Sequence, residues 1–253
     1  MSDSQKTAVI FGLANKRSIS WAIAQKLHEA GWRLAITYQN ERLELEARDL
    51  IADMPGAAGF MCDVTKDDEI ARLFDELKSR YGVLHGLVHS VGFAPPDELK
   101  NSFLNTTREG FRIANDISVY SLIAVARGAA PLMTAGGGMV TLTYYGSEKV
   151  VPNYNVMGVA KAALEAAVRY IAAELGPKGI RVHAISPGPL ATRAASGIPE
   201  FDELMDKAQS QAPTRSLVSI DDVGRATAFL ALDGAKLITG GVTYVDGGYH
   251  IVD

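Results

Sequence analysis

A chain of 253 residues with 47% hydrophobic content can bury one sizeable core, and α/β chains of this length are often single domains. Its net charge of −4 argues against a dedicated nucleic-acid binder, which would present a basic face. The polar opening Met1-Ser-Asp-Ser-Gln5 lacks a secretory pattern and no apolar run approaches a membrane span, so a soluble, cytoplasmic protein is expected. Strand-like and helix-like segments then alternate almost without interruption. Thr7–Phe11 reads as a strand, Ile19–Ala30 as a helix, Arg33–Tyr38 as a strand and Glu41–Met54 as a helix. Strands at Ala58–Cys62 and His85–His89 flank an amphipathic helix over Asp67–Arg80. A long helix over Arg108–Met133 precedes a strand at Gly138–Thr143 and a second, Ala/Leu-rich helix from about Asn155 to Leu175. A strand at Arg181–Ile185, helices at Phe201–Ser210 and Ile220–Leu232, and a last strand at Val242–Val245 complete the order.

Alternation of this kind means βαβ units and a parallel sheet. The expected fold is one α/β domain over 1–253, a doubly wound, Rossmann-like parallel sheet with helices on both faces. The connection from about 186 to 210 is unusually long, which marks it as a helical substrate flap. The single cysteine, Cys62, sits in an apolar stretch and reads as a buried, inert thiol. His85 and His89 are four apart in a strand, not on a helix face, so no metal is expected.

Candidate site residues fall at strand ends, where parallel sheets bind ligands. Gly12 follows the first strand and lets the backbone approach a pyrophosphate at the start of the next helix. Ser18 opens that helix and is also a candidate N-cap. After the second strand comes Gln39, neutral where a base would accommodate a 2′-phosphate; Arg42, three residues on, is read as a solvent-facing helix charge. Asp63 and Val64 follow the third strand, with Asp63 alternatively a helix cap. Ser90 and Gly92 follow the fourth, where the glycine is also compatible with a plain turn. Tyr154 precedes Lys161 by seven residues, nearly two helical turns, with Tyr144 ten residues upstream of Tyr154 at a strand end. A phenol beside an ammonium is a donor poised against a developing oxyanion, and the cation is expected to lower the phenol's pKa from about 10.

These residues resemble the bacterial enoyl-acyl-carrier-protein reductases of the short-chain dehydrogenase/reductase superfamily. That superfamily usually spaces Tyr and Lys four apart with a Ser thirteen before the Tyr, positions held here by Met157 and Tyr144. The resembled family instead uses the wider spacing, and a glycine loop of Gly, five residues, then Ser-Ile-Ala. Gly12, Ser18 and Ile19 match that loop, while Ser20 replaces the Ala. The similarity extends from about Lys6 to Gly248. It implies reduction of enoyl thioesters with NADH, Tyr154 as the donor, Lys161 on the nicotinamide ribose and Tyr144 closing the pocket. It implies Asp63 and Val64 beside the adenine, and Leu190 and Thr192 by the nicotinamide carboxamide, with Pro187 stiffening that loop in place of an Ala. It also implies an acidic acyl carrier protein as partner and a homotetramer, to which the small residues Ala162, Ala163, Ala166 and Ala167 would contribute a close helix approach. Apolar Ile198, Phe201 and Leu204 are expected to cover the acyl chain or simply to pack a helix. Because the flap carries Glu200, Asp202 and Glu203, docking of the carrier is expected to lean on Arg193 and Lys207. A carbonyl-reducing relative and a non-catalytic dinucleotide-binding protein are the rival readings.

Overall fold

Runs of Val, Ile, Ala and Leu with few charged interruptions make strands that can be buried on both faces, and all five residues of the first strand are buried. The computed structural model describes residues 5–192 and 201–252. Its strands are β1 (Thr7–Phe11), β2 (Arg33–Tyr38), β3 (Ala58–Met61), β4 (Gly86–His89), β5 (Gly137–Leu142), β6 (Ile180–Pro187) and β7 (Val242–Val245). They form one sheet in the order β3-β2-β1-β4-β5-β6-β7, and every neighbouring pair is parallel. This is the doubly wound α/β arrangement expected from the alternation.

The helices are α1 (Ile19–Glu29), α2 (Glu41–Ala52), α3 (Asp67–Tyr81), the single turn α4 (Asp97–Lys100), α5 (Arg108–Asn115), α6 (Ser121–Ala129), α7 (Val156–Leu175), α8 (Phe201–Gln211) and α9 (Ile220–Ala231). Apolar side chains of α3, α6 and α7 pack with Val9, Leu87, Met139 and Val182 on one face of the sheet. On the other face α1 and α2 cover Ile10, Leu34 and Ile36, and α9 covers Val140 and Ile185. Each such fully buried aliphatic side chain contributes about 1.5–3 kcal/mol of transfer free energy, so both faces bind their helices firmly.

Two sequence expectations need correction. The long helix over Arg108–Met133 is not continuous: a π-helical segment, Asp116–Tyr120, separates α5 from α6, and Ala130–Leu132 tightens to a 3-10 turn. Pro131 brings no N–H to the helical ladder, which accounts for the early end of α6. β6 runs on through Ser186 and Pro187, two residues assigned in advance to the flap. The remainder of that segment comprises Gly188–Thr192, residues 193–200, which lie outside the described residues, and the helix α8.

The C-terminal end of α9 is satisfied by a side chain from the sheet. Arg181, buried on β6, donates to the carbonyls of Leu230, Ala231, Leu232 and Ala235, four acceptors at or just past the end of α9. The guanidinium thus locks β6, whose far end enters the site, to the helix behind it.

Candidate active site

The strand order reverses between β1 and β4, so their C-terminal ends open a crevice, and Gly12 and Ser90 face each other across it. Gly12 has φ +93, and a Cβ there would lie 2.7 Å from the Ser90 carbonyl carbon and nearer still to its oxygen. The two loops touch backbone to backbone, and only glycine permits it. Ser18 is the N-cap of α1, yet its hydroxyl does not cap; it donates to the Asn15 carbonyl at 2.6 Å. Ser20 is fully buried, and its hydroxyl reaches Gly12 O at 3.0 Å and Ser18 Oγ at 3.1 Å. The Ala-to-Ser departure in the glycine loop therefore adds a stitch between helix and loop. Ile19 packs at the junction of the two clusters that cover this face of the sheet. A backbone cradle at a switch point, leading into a helix N-terminus, fits a dinucleotide pyrophosphate.

Farther along the same edge, exposed Gln39 donates to Asp63 Oδ2 at 3.4 Å. Asp63 is not a helix cap; its Oδ1 accepts from the Thr65 N–H at 3.0 Å and the Thr65 hydroxyl at 2.8 Å. Burial opposes ionisation of Asp63, but the Thr65 and Gln39 hydrogen bonds and the nearby Lys66 outweigh it and hold the carboxyl below its ordinary range. Val64 packs partly buried against the core under it. Arg42 is exposed on the first turn of α2. Cys62 is buried, and burial pushes its thiol up to about 12, which keeps it protonated.

Beyond β4, Gly92 leaves room for a cation: a Cβ there would lie 3.5 Å from Lys161 Nζ. The next residue is pinned by the π-helical segment, whose buried Ser118 accepts from Phe93 N–H at 3.0 Å and donates to Phe93 O at 3.2 Å. The extra residue of a π-segment re-aims a side chain, and here it aims Ser118 at the loop that lines the crevice. No motif in the sequence pointed to Ser118. Among the described residues, no group of three or more His, Cys, Asp or Glu side chains is placed to hold a metal.

The tyrosines and the lysine converge from β5 and α7. Asn153 and Asn155 have φ of 60 and 40, so Tyr154 stands on a kinked approach to α7 and not on a regular helical turn. Its ring meets Tyr144 edge-on at a centroid distance of 5.0 Å, and Tyr144 meets Tyr145 at 4.8 Å. Met157, where the commoner superfamily pattern has its Tyr, is buried beside Ser118 Oγ, with its sulfur 3.8 Å away. Lys161 is buried and donates to the Leu142 carbonyl at 2.7 Å.

The expected electrostatics reverse at Tyr154. Burial, and then the Glu165 carboxylate, pushes the phenol above its ordinary value, not below it. Burial pushes Lys161 down to about 8, against a smaller upward pull from Glu165. His89, buried between Thr141 Oγ1 and Ser121 Oγ, is pushed to about 3 by burial and by Lys161, and stays neutral. A phenol that keeps its proton is able to donate a hydrogen bond over the whole neutral range, and burial rather than the cation sets that state.

On the far side of the crevice, Leu190 is buried under α9 and Thr192 bonds through its N–H to Leu190 O at 2.7 Å. On α8, Leu204 packs against the cluster of Tyr145, Val151, Ala208, Ala212 and Tyr249, which also receives Tyr144 and Tyr154. Arg193, Ile198 and Glu200 lie outside the described residues; Asp202, Glu203 and Lys207 are exposed.

Comparison with known proteins gives the same picture. A family model described as enoyl-(acyl carrier protein) reductase matches residues 12–250. The enoyl-[acyl-carrier-protein] reductase [NADH] FabI of Bacillus cereus is 47% identical over 98% of this chain and 97% of its own length. That of Escherichia coli is 45% identical over 98% and 95%. Among solved structures, the Bacillus cereus enzyme with NADP+ and indole naphthyridinone superposes with a TM-score of 0.96 at 47% identity, covering 98% of this chain and 97% of that one. The Anaplasma phagocytophilum reductase in complex with NAD does so at 0.95 and 41% identity, covering 98% and 94%. The chain belongs to the enoyl-(acyl carrier protein) reductase family of short-chain dehydrogenases/reductases.

Proposed function

We propose that this enzyme uses NADH to reduce the carbon–carbon double bond of trans-2-enoyl thioesters carried on an acyl carrier protein, a step of fatty acid biosynthesis. The observation that carries the reading is the buried Lys161 beside a glycine-lined crevice, with Tyr154 seven residues ahead of it, in a chain of this family. Bound NADH supplies the hydride that adds at the β-carbon. Negative charge then develops on the thioester oxygen, and a donor aimed there stabilises the transition state more than the ground state. Tyr154 is that donor, kept protonated by burial. Lys161 holds the nicotinamide ribose and adds positive potential, while Tyr144, against the Tyr154 ring, closes the pocket on the thioester.

Gly12, Ser18 and Ile19 carry the pyrophosphate, Gln39 the adenosine ribose, and Asp63 and Val64 the adenine. Ser90 and Gly92 pass beside the adenosine ribose and pyrophosphate, and Leu190 and Thr192 meet the carboxamide. All belong to a single domain over 1–253 with its flap in the region of 188–210, beyond β6. A homotetramer is the proposed assembly: Val159 and Tyr170 on α7 are exposed, as are Phe103, Leu104, Phe111, Tyr120 and Ile123 around it, an apolar surface that suits a partner copy. No helix among the described residues is long and apolar enough to cross a membrane, and we place the enzyme in the cytoplasm.

The test is to follow NADH absorbance with a trans-2-enoyl thioester of coenzyme A, then of acyl carrier protein, and with a ketoacyl thioester as control. Oxidation with both enoyl substrates and none with the ketone is expected. Turnover of the ketone alone would establish the carbonyl-reducing alternative, against which Met157 at the usual Tyr position already speaks. NADH binding without turnover would establish a sensor.

A further inference from the structure

Lys161 and Glu165 lie one turn apart on α7, and each is only 7% exposed. Two successive residues at the end of β5 hold them. The Leu142 carbonyl accepts from Lys161 Nζ at 2.7 Å, and the Thr143 hydroxyl donates to Glu165 Oε1 at 2.5 Å. An ammonium and a carboxyl one helical turn apart are thus each fastened separately to one strand end. Burying either charge alone is strongly unfavourable, so a carboxylate kept here needs a reason beyond packing. The reaction proposed above does not use it.

Resting on the assignment of Lys161 to the nicotinamide ribose, we propose that Glu165, tethered by Thr143, is a positioning residue that keeps Lys161 charged and aimed at the cofactor. Glu165 touches neither substrate nor cofactor; it acts through Lys161. Its contribution therefore appears in cofactor affinity and in the pH at which that affinity is lost.

The other titratable groups around the pair do not obscure this reading. His89 faces Lys161 from β4 and is neutral. Tyr154 sees the Glu165 carboxylate and keeps its proton. Tyr244 on β7 also sees Glu165 and is pushed up to about 12, first by burial and then by Glu148. Between neutral pH and about 10, Lys161 is the group among these that changes charge. Binding that needs its ammonium is constant below its pKa and falls about tenfold per pH unit above it.

The experiment measures the NADH dissociation constant against pH for the wild type, Glu165→Gln, Thr143→Val, Lys161→Ala and the double variant Glu165→Gln/Lys161→Arg, with thermal melts of each. Gln keeps an oxygen for the Thr143 hydroxyl and removes only the charge. In Glu165→Gln the alkaline loss of affinity should move to lower pH by about one unit or more, as expected for removal of a nearby opposite charge. In the double variant the guanidinium stays charged and the alkaline loss should disappear. Should Glu165→Gln fail to melt cooperatively, Thr143→Val decides: it leaves both charges but frees the carboxylate, and a smaller shift in the same direction is expected. An unmoved alkaline limb in a folded Glu165→Gln, or in Thr143→Val where that variant decides, overturns the proposal. Should Lys161→Ala bind NADH normally, the assignment of Lys161 itself fails, a result distinct from an unmoved limb in Glu165→Gln.

Discussion

Substitution of Gly12 by Ala tests the crevice at its tightest point. Two separate penalties meet there. The residue has φ +93, and a left-handed backbone disfavours any side chain by about 1–2 kcal/mol. The new Cβ would also drive into the Ser90 carbonyl, a backbone group that yields only if the β4 loop moves; such overpacking typically adds about 1–3 kcal/mol. Together the change should remove about 2–5 kcal/mol, a large part of a typical domain's stability but not all of it. Gly56 provides the internal control, because it has φ +87 and nothing within 4 Å of the added Cβ. Gly56→Ala should show the backbone penalty alone, about 1–2 kcal/mol. Urea unfolding of both variants separates the two contributions, and quenching of intrinsic fluorescence by NADH reads the site. Gly12→Ala is expected to unfold at lower urea than Gly56→Ala and to bind NADH at least about tenfold more weakly, since losing one good hydrogen bond's worth of free energy is enough for that. If the two variants are equally stable and Gly12→Ala binds NADH as the wild type does, the contact between the β1 and β4 loops does not shape the cofactor site.

The other expectations can be checked with ordinary kinetics and solution methods. Tyr154→Phe should lose far more turnover than NADH affinity, because the phenol acts on developing charge, whereas Lys161→Ala should chiefly weaken NADH; single-turnover and binding measurements that reverse this pattern would exchange the two roles. NADH should be preferred over NADPH, since a 2′-phosphate beside neutral Gln39 is poorly compensated; equal efficiency with NADPH would show that exposed Arg42 reaches the phosphate. Light scattering should give a tetramer at assay concentration, and a stable monomer would refute that assembly. Asp202→Lys with Glu203→Lys, both exposed on α8, should lower KM for carrier-bound enoyl substrate and leave the coenzyme A thioester unchanged; equal responses would remove this helix from the docking surface.

The sheet was readable from the chain because β1, β2 and β5 are short, apolar runs rich in β-branched residues, and strand-like and helix-like segments alternate along it. Burial on both faces imposes that composition whatever the function. The π-helical segment was not readable. Arg108 to Met133 keeps a helical apolar pattern throughout, and inserting one residue into the ladder changes hydrogen bonding without changing composition. What selects it is tertiary: Ser118 exchanges two hydrogen bonds with Phe93 of the β4 loop, a partner 25 residues away. Local propensity carries no trace of such a partner.

The positions of Tyr154 and Lys161 were also legible, but the sign of their electrostatics was not. Reading a phenol and an ammonium as neighbours in isolation gives a depressed phenol pKa, because the cation is the only charge considered. Inside the fold both groups lose water, and a carboxylate joins them. That carboxylate did leave a mark in the sequence. The buried side of α7 is built from Met157, Ala160, Leu164, Val168, Ala172 and Leu175, a stripe of helical period whose last four members pack on the sheet. Lys161 and Glu165 fall within it, at positions where an Ala/Leu-rich helix otherwise places only apolar side chains. One charged residue in such a stripe is a candidate site residue; two of opposite sign, one turn apart, imply that the site keeps its own counter-charge. A phenol entering that neighbourhood is governed first by burial, so it retains its proton and with it the capacity to donate a hydrogen bond.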